Sequence, residues 1–250
     1  MYLDIATRSI LSQSFTDFEF IIIDDSSTDA SSTLLDHLAR EDDRIHIIRN
    51  ERRLGLTASL NKGLAHCHGE FVARMDSDDV AKPERLALQY HSMHTHPDTA
   101  VCGTQGEYIN EAGEFLGEKQ LPCDPMDIKK KLLWNNQCIH SSLLFRRSVL
   151  DDVGGYDEAF KTAQDYELLM RLSRDYVIAN IPECGIAWRV RSGSISWQSK
   201  RQEWDGLRIR WRAIIQHQYP FWYGCLILLI RSLWYSIPQA IKRRRFSFHI

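Results

Sequence analysis

The stretch EFVARMDSDDVAKP, Glu70 to Pro83, decides the fold. Its first half is a short apolar run that reads as a strand. Its second half sets Asp76, Asp78 and Asp79 within four positions, just past that strand. Like charges at that density repel and cost stability unless something neutralises them. The same arrangement occurs upstream, where the β-branched run FEFIIID (Phe18–Asp24) ends in Asp24 and Asp25. In a parallel sheet every strand ends on one edge, and ligands bind in the crevice beyond it. Alternation of strands and helices therefore sets both acidic clusters along one rim.

The flanking sequence supplies that alternation. MYLDIATRSILSQSF reads as a helix with Leu3, Ala6 and Ile10 on one face. Thr28 or Asp29 is placed to cap a helix carrying Leu34, Leu35 and Leu38. Arg44–Arg49 reads as a strand, Leu56–Cys67 as a helix, and Pro83 suits the first turn of the helix that follows it. These are βαβ units, so the expected class is α/β with a mostly parallel, Rossmann-like sheet flanked by helices. Further along, short strands around a turn at Glu111–Gly113, a helix in DPMDIKKKLLWNN, a strand in SSLLFRR, a helix in DYELLMRLSRD and strands in YVIANIP and GIAWRV are expected. One domain over 1–195 and a tail over 196–250 is the resulting division.

Composition narrows the partners. The formal net charge is −2, which argues against a nucleic-acid binder. From Ser199 onward ten Lys or Arg stand against two Asp or Glu, so the tail carries +8 and the body −10. The six cysteines are scattered without paired spacing, which reads as reduced cytosolic thiols rather than a disulfide framework or zinc site. Nothing at the start reads as a signal peptide.

Acidic residues at a sheet rim suit a hard divalent cation, magnesium or manganese, held by one or two carboxylates together with substrate phosphates. A solvated acidic loop in which Ser77 or Asp79 caps the next helix is the plainer alternative.

Three segments carry a resemblance: SILSQSFTDFEFIIIDDSSTD, then NERRLGLTASLNKGLAHCHGEFVARMDSDDVAKPERL, then GGYDEAFKTAQDYELLMRL. In this order and spacing, over roughly residues 4–195, the sequence resembles the family 2 glycosyltransferases of the GT-A fold. The resemblance implies an inverting transfer of a sugar from a nucleotide-diphosphate sugar, a UDP-sugar favoured, to a hydroxyl of a glycan or lipid-linked acceptor, in surface polysaccharide biosynthesis. It implies that Asp25 contacts the nucleotide base, with Asp24 supporting the loop. Asp76 and Asp78 match the D-x-D pair with Asp79 directly after; one of the trio touches the ribose and another, Asp78 or Asp79, holds Mn2+ or Mg2+ on the diphosphate. Asp165 matches the catalytic base, and an N-cap role at the start of a helix is compatible with it. Asn61 and Lys62 are candidates for donor contact or plain helix surface, His140 for acceptor contact or a satisfied core position, and Gly154–Gly155 for a turn with φ > 0.

The sequence departs from the family twice. Family members open with a β-strand that packs against the nucleotide base, whereas this sequence opens in the helix that follows it. The expectation is either a start lying upstream or a truncated, catalytically impaired relative that binds nucleotide sugar or a partner. Second, Arg191 stands where the family often has a histidine that joins the metal site. Arginine stays protonated and ligates no metal, but it can clamp a diphosphate directly.

In the tail, Trp197, Trp204 and Trp211 recur every seven residues, Phe221–Ile230 is wholly apolar apart from Gly224, and KRRR follows at Lys242–Arg245. That run is too short to span a bilayer of roughly 30 Å. Aromatics with flanking basic residues suit a helix lying at an anionic interface, which places the protein at the cytoplasmic membrane face. A helical appendage packed on the domain is the alternative. A magnesium-dependent phosphotransferase with an aspartyl nucleophile also puts aspartates at strand ends, but leaves Asp165 in AQDYELL unexplained.

Overall fold

A computed structural model describes residues 2–191, 200–216 and 219–237. Helix α1 (Tyr2–Leu11) buries Ala6, Thr7 and Ile10, the face expected from its spacing. Strand β1 (Phe20–Asp24) pairs in parallel with β2 (Ile45–Arg49) across α2 (Ser31–Glu41). Helix α2 has no side-chain cap; Asp29 instead accepts a hydrogen bond from Ser31 N at 2.9 Å. Helix α3 (Leu56–Leu64) then leads into β3 (Phe71–Ala73), and the acidic stretch runs on into β4 (Val80–Ala81). Helix α4 (Arg85–Thr95) starts two residues beyond Pro83, so the proline ends the preceding loop instead of opening the helix.

A six-stranded sheet follows the order β3-β7-β5-β8-β4, with β6 paired to β5. It contains β5 (Thr99–Ile109), β6 (Phe115–Lys119), β7 (Leu144–Arg146) and β8 (Val177–Arg189). Only β5–β8 is parallel within it; the β3–β7, β4–β8, β5–β6 and β5–β7 pairs are antiparallel. The α/β class holds, but the sheet is mixed, because alternating elements constrain neighbours in sequence and not the long-range partners of β7. Two expected strands are one: β8 runs through Pro182, where the register against β5 shifts, as proline requires inside a sheet. The β5–β6 hairpin turns at Gly113, whose φ is 89°. Among the described residues no pairing joins β1 to β3, so β1–β2 forms a separate two-stranded sheet.

The rest of the core is helical. Helices α5 (Pro125–Leu132), α6 (Arg147–Val153) and α7 (Gln164–Leu172) close over β5, β7 and β8. Asp124 caps α5, accepting from Asp127 N. In the tail, α8 (Lys200–Ile215) and α9 (Phe221–Ser236) pack on this core, where Ile209, Ala213, Tyr219 and Ile227 are buried beside Tyr166 and Leu169. The appendage is therefore welded to the domain along one face. Trp197 and Lys242–Arg245 lie outside the described residues.

Candidate active site

Asp25 sits just past β1, and three donors converge on its carboxylate. Leu54 N and Asn50 Nδ2 both donate to Oδ1 at 2.8 Å, and Gly55 N donates to Oδ2 at 2.9 Å. Burial pushes the carboxyl up, but these hydrogen bonds outweigh it and hold the group below its ordinary value. Gly55, at φ 89°, gives the turn that aims two successive amides at one carboxylate. Asp24 is buried and accepts from Ser27 N at 2.9 Å, the loop-supporting role expected of it.

The second cluster is neutralised by arginines. Arg74, buried at the end of β3, makes a bidentate pair with Asp76, which also accepts from Ser141 Oγ at 2.9 Å. Burial opposes ionisation of Asp76, yet the Arg74 guanidinium and the Ser141 hydroxyl keep its carboxyl below the usual range. Asp78 forms an ion pair with Arg191 at 2.7 Å; burial and the neighbouring Asp76 still push it upward. Asp79 is 1% exposed and accepts from Arg189 N at 2.9 Å. Burial and Asp76 push it up to about 7. Strand pairing explains the meeting, because β4 runs antiparallel to β8 with Val80 opposite Ala187, so the two ends carry Asp78 and Arg189 toward each other. Arg85 lies fully buried beneath and donates to Arg74 O at 2.9 Å.

Asp165 lies in the first turn of α7, not at its cap, which is Ala163. A carboxylate there is favoured by the helix dipole. Asn136 Nδ2 donates to its Oδ2 at 2.8 Å. Burial raises its pKa against the pull of the α7 amides and Arg74, and Asp76 pushes it further the same way.

Backbone strain marks the same places. Among the described residues, Ser26 (φ 60°) and Ala163 (φ 56°) are the non-glycine residues with positive φ, and they flank Asp25 and Asp165. Such conformations cost of order 1–3 kcal/mol and gather at functional sites. Thr57 Oγ1 donates to Phe160 O at 2.9 Å, joining the Asp25 turn to the loop before Ala163.

The softer candidates have partners within the fold. Asn61 bonds Tyr156 N and O, both at 2.9 Å, and Lys62 donates to Asn50 Oδ1 at 2.8 Å, so both hold loops around the site. His140 Nε2 lies 2.9 Å from Tyr156 Oη, and burial lowers its pKa well below the ordinary value, leaving a neutral ring. Gly154 and Gly155 have φ of 76° and 68°, as the turn there demands. Arg74, Arg189 and Asn136 were not singled out in the sequence; a basic residue two positions before a D-x-D was the available hint for Arg74.

A divalent cation fits the oxygens of Asp78 and Asp79 in kind. Asp79 Oδ2 is buried and has no hydrogen-bond partner. Among the described residues no three His, Cys, Asp or Glu converge as a ready-made metal site. A cation here would take its remaining ligands from substrate phosphates and water, the usual pattern for Mg2+.

A mixed six-stranded sheet flanked by helices, beside a two-stranded parallel one, is the α/β architecture of the GT-A fold. Residues 1–154 match the family "Glycosyl transferase family 2". The chain belongs to that family. It is 35% identical over 198 residues to the O-antigen biosynthesis glycosyltransferase WbnJ of Escherichia coli, covering 77% of this chain and 76% of that protein. Its fold resembles S. aureus TarS 1–349 in complex with UDP-GlcNAc, with TM-score 0.73, 20% identity and coverage of 100% of this chain and 72% of the other. It also resembles the Pyrobaculum calidifontis mannosyltransferase PcManGT in complex with GDP-Man and Mn2+, with TM-score 0.70, 17% identity, and coverage of 98% and 71%. The chain spans 63% to 76% of the length of four curated relatives. No described helix is long and apolar enough to cross a membrane.

Proposed function

We propose that the chain is an inverting glycosyltransferase that moves a sugar from a nucleotide-diphosphate donor, UDP-sugar favoured, to the hydroxyl of a glycan or lipid-linked acceptor in surface polysaccharide biosynthesis. The carrying observation is the Asp165 carboxylate in the first turn of α7, held by Asn136 Nδ2 at 2.8 Å and lining a cavity that Arg210 and Arg231 also line. Asp25 receives the base, Asp76 the ribose, and Arg191 the diphosphate. Asp78 and Asp79 hold Mn2+ or Mg2+, which when bound offsets charge on the leaving diphosphate.

Asp165, ionised, accepts the proton of the attacking hydroxyl. Asn136 orients its carboxylate, and the helix dipole favours the charged form. Single displacement from the face opposite the leaving group inverts the anomeric centre. WbnJ's printed role in O-antigen biosynthesis supports the polysaccharide setting. Trp222, Leu226, Leu229 and Leu233 lie on one exposed face of α9, and this supports peripheral contact with the cytoplasmic membrane face.

Calorimetric titration of uridine diphosphate, with and without Mn2+, tests the donor site. Metal-dependent binding lost in Asp78→Ala is the expected result. No binding of uridine, guanosine or cytidine diphosphates under either condition would remove the transferase reading.

A further inference from the structure

Helix α8 buries two charged side chains that the proposed reaction does not use. Asp205 and Arg210 are 2% and 3% exposed. A buried charge is costly unless it is paired and hydrogen-bonded, and apolar residues of similar size often pack as stably. Both side chains instead reach out of the tail to a loop of the domain. Thr162 Oγ1 donates to Asp205 Oδ2 at 2.6 Å, the length of a charge-assisted bond, and Arg208 Nη1 donates to Asp205 Oδ1 at 3.1 Å. Arg210 donates from Nε to Leu133 O at 2.7 Å and from Nη2 to Trp134 O at 2.8 Å.

The two loops lead to the two halves of one hydrogen bond. Thr162 precedes Ala163, whose φ of 56° and ψ of 26° turn the chain into α7, and Asp165 follows in the first turn. Leu133 and Trp134 lead to Asn136, which donates to Asp165 Oδ2 at 2.8 Å. A left-handed alanine persists only where its surroundings over-determine it. The loop before Ala163 is held from two sides. Thr57 of α3 donates to Phe160 O at 2.9 Å on one side. On the other, Arg212 of α8 pairs with Asp157 at 2.8 Å, and the Arg208 guanidinium lies 4.7 Å from the centre of the Phe160 ring.

We propose that α8 is a two-point clamp that sets Asp165 against Asn136, with Asp205 fixing the strained turn on one side and Arg210 fixing the Leu133–Trp134 backbone on the other. Both are positioning residues that act through Asp165, so the proposal rests on the transferase reading with Asp165 as its base. Loosening the clamp lowers turnover and leaves donor binding as it was, because Asp25 and Asp76 are held by other partners. The tail thus contributes to the geometry of the site as well as to the core.

Nitrogen-15 NMR of the full chain tests this at the Asn136 side-chain amide, a signal assigned by its loss in Asn136→Ala. Hydrogen exchange across the first turn of α7 is the second readout. Thr162→Val removes the hydroxyl and keeps the shape. In it the Asn136 signal shifts, and the first-turn amides of α7 exchange at least about tenfold faster while the sheet amides do not change. The kcat for release of uridine diphosphate from the best substrate among UDP-glucose, UDP-galactose and UDP-N-acetylglucosamine falls at least about tenfold, with KM and uridine diphosphate affinity unchanged. Thr162→Ser, which keeps the hydroxyl, restores every readout. Should valine disturb the loop at large, Arg210→Lys gives the second reading: the charge stays, the fork to two carbonyls is lost, and the Asn136 signal shifts again. An Asn136 signal unmoved in both variants, exchange raised equally over the whole chain, or an unchanged kcat beside a shifted signal overturns the clamp. A shifted signal in a chain that binds no nucleoside diphosphate upholds the clamp and overturns the transferase reading instead.

Discussion

Asp25 and Asp76 each follow a strand, in two separate sheets instead of along the one parallel rim expected, and the chain stabilises them by different physics. Asp25 is surrounded by neutral dipoles, two backbone amides and a side-chain amide. Asp76 faces a full positive charge on a buried guanidinium. Dipoles fixed in a turn hold a carboxylate in place without cancelling its charge, so it remains an acceptor for a ligand donor. A bidentate arginine cancels the charge and fixes the group rigidly. The first arrangement leaves the carboxylate its full charge toward a ligand; the second leaves a rigidly held, neutralised hydrogen-bond acceptor. Asp165 is a third case, where burial holds the carboxyl above its ordinary value against the pull of the α7 amides.

The largest expected effect tests that third case. Asp165→Asn removes the proposed base while keeping its shape, and transfer should fall about 10²–10⁴-fold, with nucleoside diphosphate binding unchanged by calorimetry. A loss of binding instead of turnover would break the distinction between Asp165 and the donor carboxylates. Next, Asp76→Ala strands the buried Arg74 charge and should destabilise the chain by about 3–5 kcal/mol in urea unfolding. Asp25→Ala strands partly hydrated donors and should cost only about 1–3 kcal/mol. Equal losses would mean that the two clusters are held alike after all.

Two smaller effects sharpen the contrast. Burial holds the Asp165 pKa above its ordinary value, and the Asn136 hydrogen bond favours the ionised form. A general base works only when deprotonated, so activity falls as pH drops through its pKa. Asn136→Ala should move that acid limb to higher pH, read from kcat against pH, while the alkaline side stays in place. Finally, the Arg191–Asp78 pair is half-exposed on the arginine side. Arg191→Ala should change stability by less than about 1 kcal/mol, yet weaken nucleoside diphosphate binding measurably at low salt.

The carboxylates were legible in the sequence because charge repulsion makes them conspicuous wherever they cluster, and strand-end position follows from local periodicity. Their partners were not. Arg189 meets Asp79 only through the β4–β8 register, a pairing across more than a hundred residues. Asn136 reads as part of a helix end in NNQC, and only the packing of α5 against α7 brings it to Asp165. The strain at Ser26 and Ala163 leaves no composition signal, since serine and alanine are ordinary residues for other conformations. Similarly, the tail's aromatic and basic residues suggested an interface, but which tryptophans face outward and which line a cavity depends on how α9 rotates against α8. Trp222 is 82% exposed, whereas Trp234 faces the cavity.

The separate β1–β2 sheet has a practical side. Among the described residues the backbone of β1 is paired on one edge alone, and Ile21, Ile22 and Ile23 are only half-buried. A short, uncharged isoleucine run with an open hydrogen-bonding edge is a template for a strand from another molecule. Concentrated preparations of this chain should therefore be prone to associate edge to edge, and a charged residue in place of Ile22 is a route to better-behaved samples.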